Sequence, residues 1–268
     1  MMLKHVFISS ILVLTVGLST LVSAEVSERS AYDILHDVKF RADGDTRKSE
    51  ISMTLTSKDG FERVRHLTMV EADNGEDSKS LVYVGAPADV AGIGVLLHAY
   101  GEKSDREDDI WIYIPAMKKI KRLSSRNKRG RFVSSEMSFA DLERLQLSDF
   151  TYELLGSEDI NGVSAEKIES KVADNEALFK TGYSRKVTWV DRTRDLIVKE
   201  EYYDDQGHHL KTMMADKVEQ VDGFWTVTQL HVLNAQTGDS TKLVLNSIEY
   251  NLPVNEAQFT KVALKRGL

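Results

Sequence analysis

The sequence predicts a mainly-β chain folded as an antiparallel barrel or a strongly curved sheet. Three observations carry that prediction. Extended segments recur roughly every 10 to 15 residues, most with period-2 alternation of apolar and polar side chains. Tight-turn signals separate many of them: Lys58-Asp59-Gly60, Asn161-Gly162, Asp222-Gly223 and Thr237-Gly238-Asp239. No helical pattern is long enough to cross over between parallel strands, so an antiparallel meander is left.

The elements follow in order. Ser27 to Lys39 reads as a helix, with Ser27 as its cap and Ala31, Ile34, Leu35 and Val38 as its apolar stripe. Asp43-Gly44-Asp45 breaks it. Ile51, Met53 and Leu55 alternate with Ser52, Thr54 and Thr56, and Phe61 to Val70 returns across the turn. Glu71 to Ser80 is polar and acidic and reads as a loop. Leu81–Val84 and Ile93–Tyr100 are the next strands. Ser138 to Leu147 reads as a second helix with Phe139, Leu142 and Leu145 at 3-residue spacing. Strands then resume at Phe150–Leu154, Val163–Ser170, Arg185–Val190, Leu196–Tyr203, Leu210–Gln220, Phe224–Val232 and Thr241–Tyr250. All three prolines fall outside these strands, as long ladders require.

The segment Asp109-Ile110-Trp111-Ile112-Tyr113-Ile114-Pro115-Ala116-Met117 is the most distinctive. Ile110, Ile112 and Ile114 fall on one face of a strand, Trp111 and Tyr113 on the other, and Pro115 ends it. Lys118, Lys119, Lys121, Arg122, Arg126, Lys128, Arg129 and Arg131 then place eight cations in fourteen residues. Three readings of that run stand side by side: a solvated loop, a surface that docks an acidic membrane partner, or one that contacts anionic lipid headgroups.

The order of an apolar strand, a Gly-containing strand, "DDIWIYIPAMKKIKRL", a basic loop and "SFADL" resembles the periplasmic LolA-like outer-membrane lipoprotein-sorting proteins. It resembles most the subgroup with a W-x-Y-x-P-A-x-K-x-x-x-R signature, and the likeness extends to Gln258-Phe259-Thr260 and Leu264-Lys265-Arg266-Gly267. The resemblance implies a half-open antiparallel β-barrel with short helices covering its concave face. It further implies a non-enzymatic carrier of lipidated or hydrophobic cargo, working with an RND-type transporter of the inner membrane. One departure stands out: Val133-Ser134-Ser135-Glu136-Met137 occupies the place where the family often has a Gly-Thr-Asp type sequence.

At the N-terminus Lys4, the uncharged apolar run Val6–Val22 and Val22-Ser23-Ala24 read as a cleavable signal peptide over residues 1–24. The competing reading is an uncleaved anchor. Residues 25–268 then form a single periplasmic domain. Loss of residues 1–24 removes one lysine and no acid, taking the net charge from −7 to about −8. That balance argues against nucleic acid as a partner. With no cysteine, a disulfide framework and thiolate chemistry are excluded.

A catalytic constellation is not evident. His36, His66, His98, His208, His209 and His231 are scattered, no G-x-S-x-G elbow occurs, and Gly92-Ile93-Gly94 lacks the third glycine of a phosphate cradle. The acidic turn Asp105–Asp109 lacks the spacing of a calcium loop. The expectation is therefore no cofactor and no metal. An apolar cavity is expected from Ile93, Val95, Leu97, Trp111 and Tyr113, with Phe139 and Leu142 on a covering helix, although for any one aromatic taken alone a packed core is the better reading. The rival to a carrier is an adaptor or structural subunit whose interior is filled.

Overall fold

The computed structural model describes residues 29–104, 106–144 and 146–267. The signal-peptide reading, the Ser27 cap, Asp105 and Leu145 lie outside these residues. Thirteen antiparallel strands form one open, strongly curved sheet, accompanied among the described residues by three short α-helices.

Helix α1 (Ala31–Lys39) starts at Ser30, whose hydroxyl accepts from the Asp33 amide while the Asp33 carboxylate accepts from the Ser30 amide. Two meanders follow. The first comprises β1 (Thr46–Thr56), β2 (Glu62–Asn74), β3 (Asp77–Ala86), β4 (Gly94–Ala99), β5 (Asp109–Ile114) and β6 (Lys119–Arg122). The second comprises β7 (Phe150–Ile160), β8 (Val163–Val172), β9 (Arg185–Asp191), β10 (Leu196–Tyr203), β11 (His209–Val221), β12 (Phe224–Asn234) and β13 (Ser240–Tyr250). They join where β1 pairs with β13, so the sheet order runs from β6 to β1, then from β13 to β7. The edge strands β6 and β7 are neighbours in sequence but lie at opposite ends of the sheet. The connection 123–149 must therefore cross one face, called the inner face below.

Two expectations need correction, and two helices come in addition. Glu71–Ser80 is not a loop: β2 and β3 continue through it as a hairpin that turns at Gly75, with Glu71 facing Ser80. Its polarity misled because Arg47 on β1 pairs with Glu71 (3.0 Å), supplying a polar partner where a core residue was sought. Ser138–Leu147 is not an α-helix but two single 3₁₀ turns, Ala140–Leu142 and Leu147–Asp149. Ser138 and Asp141 cap each other as at a helix start, but the backbone turns extended at Glu143. The 3-residue spacing of Phe139 and Leu142 is the period of a 3₁₀ turn. Two helices went unread, α2 (Asn175–Thr181) and α3 (Lys261–Arg266), each barely two turns long and so without a legible stripe.

Candidate functional site: an apolar cavity on the inner face

Strand register fixes what the inner face presents. Ile51 faces Leu245 and Met53 faces Leu243 across β1 and β13. Leu230 faces Leu243, and Ala215 faces Leu230. Directly opposed residues share a face, so these side chains form one apolar band across the middle of the sheet.

Two packed clusters flank the band. Toward β6, Val82, Val84, Val95, Leu97 and Ile110 pack with Met53, Leu55 and Leu67 beneath Phe132, Val133 and Phe139 of the crossing connection. Toward β7, Ala31, Ile34 and Leu35 of α1 pack on Leu147, Ile168 and Val190. Between the clusters lies a cavity of about 370 Å³. Val38 on the last turn of α1, Ile51, Leu196, Ile197, Met213, Leu230, Leu243 and Leu245 line it, with small Ala215 and Thr228 leaving it room. Lys199 contributes to the wall, but its ammonium pairs with Glu201 (2.8 Å) and lies 4.0 Å from the Trp189 ring centre. A volume of this size falls within the roughly 300–1,000 Å³ of small-molecule sites.

A polar zone borders the cavity toward the crossing connection and α2. Lys211 projects from β11 to the Asp141 carboxylate and the Glu136 carbonyl (3.2 Å). Tyr183 donates to Asp141 (2.7 Å), and Tyr202 donates to Glu200. Burial pushes both phenols well above their usual range, and the neighbouring carboxylates add to it. Both therefore remain donors at neutral pH. Glu136 pins the connection to the middle of the sheet: its amide donates to Thr241 (2.9 Å) and its carboxylate accepts from Asn234 (2.7 Å). Val133 and Ser134, just before it, hold left-handed backbone at φ +46° and +63°. For a buried β-branched residue that conformation is an outlier, sustained here by the packing of Val133 in the first cluster.

The structure separates the seven residues expected to line a cavity. Ile93, Val95, Leu97, Phe139 and Leu142 pack within the first cluster. Trp111 and Tyr113 lie on the opposite face, in a cluster with Phe259 and Leu264 of the C-terminal segment. None of the seven lines the observed cavity, whose walls come largely from β10 to β13. Period-2 alternation predicts both faces of a strand but not which face a distant connection covers.

The basic run divides likewise. Lys128 is buried, 1 % exposed, pairing with Glu143 and donating to the Asp108 carbonyl (3.0 Å). Arg129 donates to the Leu178 and Phe179 carbonyls (2.8 Å to the latter), closing the C-terminal end of α2. Arg131 pairs with Glu136 (3.0 Å) and Arg122 with Asp109. Lys118, Lys119, Lys121 and Arg126 are exposed and make no ion pair among the described residues.

Comparison with known proteins agrees with this architecture. Residues 76–266 match a family model whose own description is "uncharacterized protein"-like. Among curated protein sequences no match is found. A DUF1329 family protein from Desulfovibrio piger superposes with TM-score 0.80 at 28% identity, over 87% of this chain and 97% of that one. A domain described as an outer membrane lipoprotein-sorting protein, from Vibrio parahaemolyticus, superposes with TM-score 0.80 at 30% identity, over 88% and 98%. A LolA superfamily protein from Nitrosomonas europaea shares the fold, with TM-score 0.66 at 20% identity over 88% and 99%. With 30% identity to the Vibrio domain over 88% of its length, the chain belongs to the outer-membrane lipoprotein-sorting protein family, and its fold is LolA-like.

Proposed function

We propose that the protein is a periplasmic carrier that shields the acyl portion of a lipidated or otherwise hydrophobic cargo. The observation that carries this reading is the cavity between α1 and the middle strands, whose walls are almost wholly aliphatic. Each methylene moved from water into such a wall gains roughly 0.8 kcal/mol. About ten methylenes therefore offset an association cost of several kcal/mol. The description of the Vibrio relative as a lipoprotein-sorting protein supports the same reading. An exported mature chain beginning at Glu25, with delivery to or from an RND-type transporter of the inner membrane, belongs to this proposal.

Ala215 tests it. Its methyl faces the cavity from β11, so Ala215→Phe places a ring in open space rather than in packed core. Wild-type protein should bind a fluorescent fatty acid saturably, and the variant should bind at least about tenfold more weakly, a loss of some 1.4 kcal/mol, with unchanged circular dichroism. Absence of saturable binding by folded wild type would favour the filled adaptor instead.

A further inference from the structure

The apolar cavity does not stand alone. A second chamber of about 230 Å³ adjoins it, and Ile197 and Met213 line both. This chamber is polar. Lys186, Glu200 and Tyr202 rise from the sheet, Asp141, Glu143 and Arg144 come from the crossing connection, and Lys180 comes from α2. Its volume exceeds by far the roughly 30 Å³ that one water occupies.

The hydrogen bonding in this chamber is lopsided. The acids have partners: Glu200 accepts from Thr188 (3.1 Å) and Tyr202, Asp141 from Lys211 and Tyr183, Glu143 from Lys128, and Asp149 from Lys180 (3.0 Å). Two donors do not. Arg144 reaches Asp73 with Nη2 (3.3 Å), while its Nη1 is buried with no hydrogen-bond partner among the described residues. Lys186 Nζ forms a long ion pair with Glu200 at 3.8 Å, makes no hydrogen bond among the described residues, and sits over the Phe150 ring at 5.0 Å. What this chamber leaves open is donor capacity beside an aliphatic slot.

We propose that the two chambers form one bipartite site for an amphiphile: chain in the apolar cavity, head in the polar chamber. The head is rich in hydrogen-bond acceptors, a carboxylate or the ester and amide carbonyls of an acylated peptide, held by Arg144 and Lys186. This deepens the carrier reading and rests on it. A quaternary ammonium head on the same chain would meet two cations and carboxylates that already have donors.

Calorimetry with monomeric ligands below their micelle concentrations tests the site. Dodecanoate, dodecyltrimethylammonium and a short diacylglyceryl lipopeptide are titrated into wild type, Arg144→Gln and Lys186→Gln. One of the two acceptor-headed ligands should bind wild type at least about tenfold tighter than the ammonium, as charge-assisted hydrogen bonds imply. Each variant should remove most of that preference while leaving the ammonium affinity unchanged. Tighter binding of the lipopeptide assigns the head to carbonyls; tighter binding of dodecanoate assigns it to a carboxylate. Equal affinity for anionic and cationic heads in wild type overturns the head site even if a variant fails to fold, and leaves the carrier reading standing. Binding of none of the three overturns both.

Discussion

Lys128 and Lys119 look alike in the sequence and do opposite things in the fold. Lys128 is enclosed with Glu143, whose carboxyl is pushed up by burial and pulled back by that ammonium. Removing one partner of such a pair strands the other, at a cost of about 3–5 kcal/mol. Lys128→Ala should therefore lower the urea midpoint sharply, and less so at acid pH where Glu143 protonates. Changing Lys118, Lys119, Lys121 and Arg126 together to Gln should alter stability by no more than about 0.5 kcal/mol per site. If these four cations dock a membrane partner or anionic headgroups, the same variant loses salt-dependent association with inner-membrane vesicles; unchanged association would leave the solvated-loop reading. A run of cations was legible, but its division was not. Which lysine is buried depends on Glu143, fifteen residues away, and on an α2 that no periodic signal announced.

Strands were the most legible elements because their signal is local. The strand Leu196–Tyr203 coincides at both ends with the segment its alternation predicts, and Asp109–Ile114 ends at Pro115 as its missing amide requires. The covering pieces were legible only in part, being single turns held by tertiary contacts. The C-terminal segment is one example. His98 on β4 donates from Nε2 to the Phe259 carbonyl (2.9 Å) and meets the Trp111 ring edge-on at 5.1 Å. Burial lowers its pKa below the ordinary 6.5, with the Phe259 carbonyl opposing that shift. A depressed histidine means that the unfolded chain takes the proton first. This contribution to stability is thus complete above about pH 6.5 and fades as pH falls toward the lower folded value. Hydrogen exchange should show α3 opening more readily at pH 5.5 than at pH 7.5, and His98→Phe should flatten the difference. An opening equilibrium that stays the same across that range, once the pH dependence of intrinsic amide exchange is divided out, would remove His98 as the fastening of this segment.

At the scale of the molecule, sequence alternation gave one curved antiparallel sheet, while the site came from where the connection 123–149 crosses it. The cavity lies where the roof supplied by that connection and the roof supplied by α1 fail to meet, over Ala215 and Thr228. Neither roof has a period that reveals its landing place, so the seven residues expected around a cavity fall in packed clusters beside it, while the curved sheet itself was legible.

The pairing of β1 with β13 has a consequence in time. Ile51 waits for Leu245, nearly two hundred positions later in the chain. A chain emerging amino end first has six strands available long before the second neighbour of its first strand exists, and until then the β1 flank of the half-sheet is bare. Closing so long a loop is slow compared with local hairpins. Refolding from urea is therefore expected over milliseconds to seconds, typical of non-local β topologies. A chain ending before Ser240 should lose the cooperative transition altogether, with no surviving half. The last strand acts as the keystone of the arch.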